Sequence, residues 1–280
     1  MRKVGFIDYF LNEWHADNYP AWLKEVSDGE YVVSYCWGEI DSPRKNGLTN
    51  AQWAKQQGIT LCSTMEEVIA KSDVLCVLAP DNPETHERLS RLPLQSGKTT
   101  YIDKTFAPDK ATAVRMLTLA EQYGTPCITT SALRFADEYI QASKEGICGI
   151  ASIGGGAYDI YCIHQIEPMV MMLGSDVRRV KAVGTAQLPI FLVEYANGIQ
   201  VTLSCFHPGC PFQMTVNYAD NTCQVLTVTS DVFRNMMRTL VKFFDTGELL
   251  VPHEQTIAVM AVREACMQAY ERPDEWIVLP

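Results

Sequence analysis

The sequence predicts an α/β chain: a doubly wound parallel sheet followed by an α+β domain with a mostly antiparallel sheet. Three observations predict it. Apolar, β-branched segments alternate with helical patterns through the first half of the chain, as repeated strand-helix-strand units require. Residues 73–79 contain an almost unbroken apolar run, suited to a central parallel strand covered on both faces. Beyond residue 176, alternating strands are punctuated by Asn197-Gly198 and Asp220-Asn221, hairpin turns that call for positive φ. These features define a Rossmann-like first domain over residues 1–131 and an α/β second domain over 132–280.

The elements follow in order. Residues 4–8 form the first strand, and 12–26 read as a loop leading into an amphipathic helix carrying Trp22, Leu23 and Val26. Residues 31–36 form a second strand, rich in β-branched and aromatic side chains. Helices are expected over 49–57 and 65–71, the latter behind Ser63-Thr64 with Glu66-Glu67 as a capping pattern. Residues 80–83 end the central strand. The next strand, 99–102, stops at Asp103-Lys104 and turns into a helix over 108–123, with Pro108 in its first turn and Gly124 as its stop. Ligands collect outside the carboxyl ends of such strands, which marks Lys104 as a candidate for chemistry. A strand over 127–130 closes this half. In the second half a helix is expected to run to Leu173-Gly174 with Pro168 in its first turn. Strands are expected over 177–185, 190–195, 199–207, 213–218 and 223–228, and closing helices over 233–244 and 254–270.

A net charge of −10 and a pI near 5.0 argue against nucleic acid or an anionic membrane as partner. No stretch approaches the roughly 18 apolar residues that span a bilayer, and the first residues enter a strand without a signal-peptide core, so a cytoplasmic location is expected. None of the ten cysteines is spaced C-x-x-C, which suits reduced thiols. The cluster Cys205, His207 and Cys210 matches no zinc spacing, and no metal site is expected.

Several short motifs stand in a telling order: Asn82-Pro83 with His86, Asp103-Lys104-Thr105, Arg134-Phe135, His164 with Glu167 and Gly174, and Val251-Pro252-His253-Glu254. In these the chain resembles the Gfo/Idh/MocA family of oxidoreductases, the glucose-fructose oxidoreductase and inositol dehydrogenase relatives, over nearly its whole length. The resemblance implies an NAD- or NADP-dependent oxidoreductase acting on a sugar, polyol or related carbohydrate. It implies that Lys104 hydrogen-bonds the reacting hydroxyl and His164 shuttles its proton, with Asp159 close to the family's active-site acid. Asp8, Phe10, Asn82, His86 and Asp103 fall where the family binds its cofactor, and Arg134 on the substrate side. A homodimer or homotetramer built through the uncovered face of the second sheet is also implied.

The chain departs from that family where the cofactor is held. A Rossmann loop needs G-x-G-x-x-G, and the three glycine positions are Asp8, Phe10 and Glu13. Two carboxylates beside a diphosphate cost a few kcal/mol for each pair about 5 Å apart at an effective dielectric near 20. Cys36-Trp37 replaces the ribose-binding acid, with Glu39 slightly beyond. Thr105 replaces the proline after the lysine, for which a trans bond is expected. The acid at position 159 is one residue out of register, a slip that would turn it to the other face of a strand. Trp14, His15, Tyr19 and their neighbours make an aromatic and polar loop with the chemistry of a sugar pocket, and Trp14 and His15 are candidate substrate contacts. An alternative is therefore a cofactor-free descendant that binds a sugar-like ligand, as a sensor or interaction protein, or performs non-redox acid-base chemistry.

Overall fold

The computed structural model describes residues 1–279. They cluster into two compact units, residues 1–130 with 233–253, and residues 131–232 with 254 onward. The segment 233–253, expected in the second domain, thus packs with the first.

The first unit alternates strands and helices: β1 (Arg2–Asp8), α1 (Trp14–Val26), β2 (Tyr31–Gly38), α2 (Asn50–Gln57), β3 (Thr60–Leu61), α3 (Met65–Lys71), β4 (Val74–Val77), α4 (Pro83–Leu94), β5 (Thr100–Ile102), α5 (Lys110–Gln122) and β6 (Cys127–Ile128). Among the described residues the strands form one six-stranded sheet in the order β3-β2-β1-β4-β5-β6. Every pairing in it is parallel. The order reverses between β1 and β4, which opens a crevice outside the carboxyl ends of these strands. β4 is buried throughout, as its composition demands. It ends at Val77 rather than 79: the Leu78 amide makes the last bond to β1, at the Ile7 carbonyl, and Ala79 then turns away at φ 62°.

Local capping chemistry sets the helix starts. Thr49 and Gln52 form a capping box on α2, and the Thr64 hydroxyl accepts from the Glu67 amide on α3. Pro108 lies outside α5, whose N-cap is Asp109, accepting from the Thr112 amide at 2.7 Å. α1 begins at Trp14, so Trp14, His15 and Tyr19 stand on a helix and not on a loop.

The second unit opens with a 3₁₀ turn (Ala132–Phe135) and continues through α6 (Asp137–Gln141), β7 (Ile147–Gly155), α7 (Tyr158–Tyr161), α8 (Ile163–Leu173), β8 (Val177–Gly184), β9 (Pro189–Tyr195), β10 (Gln200–Phe206), β11 (Gln213–Tyr218) and β12 (Cys223–Thr227). α9 (Val232–Thr246) belongs to the first unit from Phe233 on, α10 (His253–Glu271) to the second from Glu254, and β13 (Trp276–Val278) ends the described chain. The sheet runs β12-β11-β7-β10-β9-β8-β13 and is antiparallel except for β10 against β7. Alternation is clear on β10, where Val201, Leu203 and Cys205 are buried and the residues between them are not. Pro168 falls in the middle of α8 rather than its first turn; it removes the N–H that would have met the His164 carbonyl.

Candidate functional site

In the first unit the loop from β1 to α1 is tied down from within. Glu13 caps α1: one carboxylate oxygen accepts from the His15 amide at 2.7 Å, the other from the Ala16 amide. The same carboxylate meets His15 Nδ1 at 3.1 Å. Asn50, at the start of α2, holds the loop from the other side. Its amide oxygen accepts from the Leu11 N–H at 3.0 Å, and its Nδ2 donates to the carbonyls of Gly38 and Ile40 at 3.1 and 2.7 Å. Gly38 is required here, since a Cβ would stand 2.6 Å from the Asn50 side chain. Leu11 is fully buried, Phe10 half-buried under the Arg44 guanidinium, and Trp14 is 47% exposed. The side chain that fills this loop is therefore Leu11, a residue not singled out above.

Asp8 is 1% exposed and its Oδ1 accepts from the Ala79 amide at 3.0 Å, while Oδ2 has no hydrogen-bond partner. Burial, then the nearby Glu13 charge, push its pKa well above the usual carboxylate range. Burial therefore disfavours ionising Asp8 at this loop.

At the tip of β5, Asp103 is fully buried and its Oδ1 accepts from the hydroxyls of Tyr101 at 2.5 Å and Tyr19 at 3.3 Å. Its Oδ2 lies 3.8 Å from His15 Nε2. Burial is the largest influence on His15 and lowers its pKa, but Asp103 and Glu13 together outweigh it and raise the net value. Both tyrosine hydroxyls are pushed well above their ordinary range by burial and then by Asp103, so they act as donors. Asp103 is consequently committed to the interior and does not face a nucleotide.

Lys104 is 7% exposed, its amine 3.0 Å from the Pro80 carbonyl and 3.2 Å from an Asp81 carboxylate oxygen. The peptide bond from Lys104 to Thr105 is cis, against the trans bond expected without proline. His86 is fully buried with Nδ1 3.0 Å from the Phe106 carbonyl and Nε2 3.1 Å from that of Ala79. Burial lowers its pKa, so it is a neutral ring whose single N–H donates to one of those two carbonyls, and it is not a cofactor contact. Asn82 precedes α4 without capping it and reaches Glu84 at 3.3 Å. Glu39 is occupied by Arg88, which also lies over the Tyr9 ring.

In the second unit His164 is half-buried, its Nδ1 2.7 Å from the Ser131 hydroxyl and its ring edge-on to Tyr161 and Phe212. Ser131, which no motif announces, fixes the orientation of that ring. Arg134 is buried and paired with Glu167 at 3.1 Å and with Gln255. Burial raises the Glu167 pKa while Arg134 opposes the rise. A guanidinium out of water must be paired, so Arg134 is spent on the core and is not a substrate contact. Glu167 correspondingly serves the arginine and not the first turn of α8. Asp159 lies exposed on the helical turn α7, where the strand argument about its facing does not apply; its carbonyl accepts from Arg263 at 2.8 Å.

The diphosphate of a dinucleotide does not fit this loop in the glycine-loop manner. It would need the α1 amides of His15 and Ala16, and those already bind Glu13. Among the described residues no group of three or more His, Cys, Asp or Glu is arranged for a metal, and no helix is long and apolar enough to cross a membrane.

No protein-family model matches this chain, and no curated protein matches it in sequence. Solved structures do match its fold. GenD2 from gentamicin A biosynthesis, in complex with NAD, is 14% identical and superposes with a TM-score of 0.80 over 100% of this chain and 97% of its own. A scyllo-inositol dehydrogenase from Lactobacillus casei is 12% identical with a TM-score of 0.79, over 99% and 98% of the two chains. A myo-inositol 2-dehydrogenase from Lactobacillus plantarum is 13% identical with a TM-score of 0.77, over 100% and 99%. The chain has the two-sheet fold of these proteins over nearly its whole length.

Proposed function

We propose that this chain is an oxidoreductase of a sugar, polyol or related carbohydrate, with NAD or NADP as its hydride partner. The observation that carries the reading is Lys104: a nearly buried amine at a strand tip, held by Pro80 and Asp81, in a chain that shares its whole fold with inositol dehydrogenases. In this reading Lys104 hydrogen-bonds the reacting hydroxyl. His164, oriented by Ser131, takes up or returns its proton. The exposed face of Trp14 suits the apolar face of a sugar ring. The α1 amides, held by Glu13, take no part in holding that dinucleotide in this reading. The proposal extends to a cytoplasmic location, supported by ten free thiols, and to a homodimer or homotetramer. It excludes nucleic acid and membranes as partners, supported by the net charge of −10.

The test is absorbance at the reduced-nicotinamide band with millimolar NAD or NADP and a panel of inositols, sugars and sugar acids. Turnover that collapses in Lys104→Met and His164→Asn is expected. Silence with both dinucleotides across the panel overturns the reading. One observation, the occupation of the α1 amides by Glu13, favours a second reading: acid-base chemistry on a carbohydrate without a dinucleotide. Product formation in the absence of any cofactor would identify it.

A further inference from the structure

The N-terminus of α1 is a complete anion site whose anion is part of the chain. Two backbone amides, those of His15 and Ala16, and the His15 Nδ1 converge on one carboxylate, that of Glu13. Glu13 is almost fully buried, and the Asp8 Oδ2 at the end of β1 is left without a hydrogen-bond partner. The loop between them is locked by Asn50 on Leu11 and by Asn12, whose Oδ1 accepts from the Leu48 amide at 2.9 Å. Donors arranged in this way ordinarily receive a phosphate.

We propose that Glu13 is a tethered competitor for the diphosphate subsite: its carboxylate stands in for a phosphate, and a dinucleotide can use α1 only when that carboxylate is removed. An internal ligand needs no diffusion to rebind, so it acts at an effective concentration of about millimolar or more and suppresses a free anion with the same donors. The inference concerns where a nucleotide binds and holds under either reading of the reaction.

The experiment measures NADH binding by fluorescence titration to the full chain as wild type, Glu13→Gly and Glu13→Gln, with inorganic pyrophosphate as competitor. Glu66→Gln, which removes an exposed charge on α3, controls for net charge. Glu13→Gly is expected to bind NADH about tenfold or more tighter than wild type, with pyrophosphate displacing it. Glu13→Gln, which keeps a capping oxygen but no charge, is expected to gain less, and Glu66→Gln nothing. Should Glu13→Gly fail to fold, as read by melting and circular dichroism, the Gln variant carries the comparison alone. Micromolar NADH binding by wild type that neither Glu13 variant improves overturns the inference. So does a gain in Glu66→Gln equal to that at Glu13, or folded variants that gain nothing. Failure of the proposed function is separable: NADH binding can rise in Glu13→Gly while no carbohydrate is turned over, or wild-type turnover can persist with Glu13 irrelevant to binding.

Discussion

Replacing Asp8 by asparagine isolates the energetic consequence of a carboxyl sealed at the end of β1. The folded protein raises the Asp8 pKa well above its usual value, chiefly by burial and secondly through Glu13. Between the unfolded value, about 3.9, and the folded one, the native state holds a proton that the unfolded chain has released. Stability from this group is therefore complete below about pH 3.9 and is lost as pH rises through the folded pKa, by at most about 1.4 kcal/mol per pH unit. Asparagine keeps an oxygen for the Ala79 amide, 3.0 Å from the carboxylate now, and does not titrate. The stability of Asp8→Asn relative to wild type should grow by about that slope above pH 4 and then level off. Urea unfolding followed by tryptophan fluorescence between pH 4 and 8 reports chiefly on this unit, because four of the five tryptophans, Trp14, Trp22, Trp37 and Trp53, lie in it. Adding Glu13→Gln should shorten the window from its upper end, since one cause of the raised pKa is gone. Wild-type and Asp8→Asn stabilities that run parallel across the range would refute the reasoning.

Three further outcomes are expected. Arg134→Met and Glu167→Leu should each destabilise the second unit by about 3–5 kcal/mol, because each strands a buried charge, whereas the double variant should lose much less than the sum; a double-mutant cycle in urea checks this. His164→Asn should lower turnover by about 10²–10⁴-fold, and Ser131→Ala should displace the pH-rate profile through the imidazole while leaving the melting temperature within a few degrees. His86→Phe removes the one N–H that the neutral ring donates to the carbonyl of Phe106 or Ala79, and should lower the denaturation midpoint of the first unit by the equivalent of about 1–3 kcal/mol.

What could be read from the sequence was local. The apolar run before Pro80, the Thr64 cap, Gly124 after α5 and the Asn197-Gly198 hairpin each depend on neighbours within a few residues. β3 and β13, with two and three residues, are too short to carry a period. β7 carries no readable alternation, because Gly149, Gly154 and Gly155 dilute it; the contacts of Gly154 and Gly155 show why small residues are needed, with Phe212 and the 207–210 backbone against them. Site residues divide along the same line. Lys104 at a strand tip was legible, but the partners that decide what a side chain can do were not. Ser131 meets His164 across 33 residues, and Arg134 meets Gln255 across 121, and nothing in the intervening spacing signals either. Glu13 was missed as a cap because glutamate is not among the residues that favour the N-cap position.

On the Glu13 proposal, the three lost glycines act against a diphosphate by substitution more than by bulk. Phe10 is only half-buried and Trp14 leans outward on Trp22 and Phe233, so neither fills the loop. The polar groups that a nucleotide would address each have an internal partner instead: the Ala79 amide has Asp8, the Leu11 amide has Asn50, and the first amides of α1 have Glu13. Removing Asp8 or Phe10 leaves the α1 amides engaged and should change nucleotide affinity little. Only the change at Glu13 frees the two α1 amides at the diphosphate subsite; removing Asp8 frees the Ala79 amide alone. The order of effects, Glu13 first and the other two far behind, follows from hydrogen-bond occupancy; an explanation by steric bulk would instead put Phe10 first.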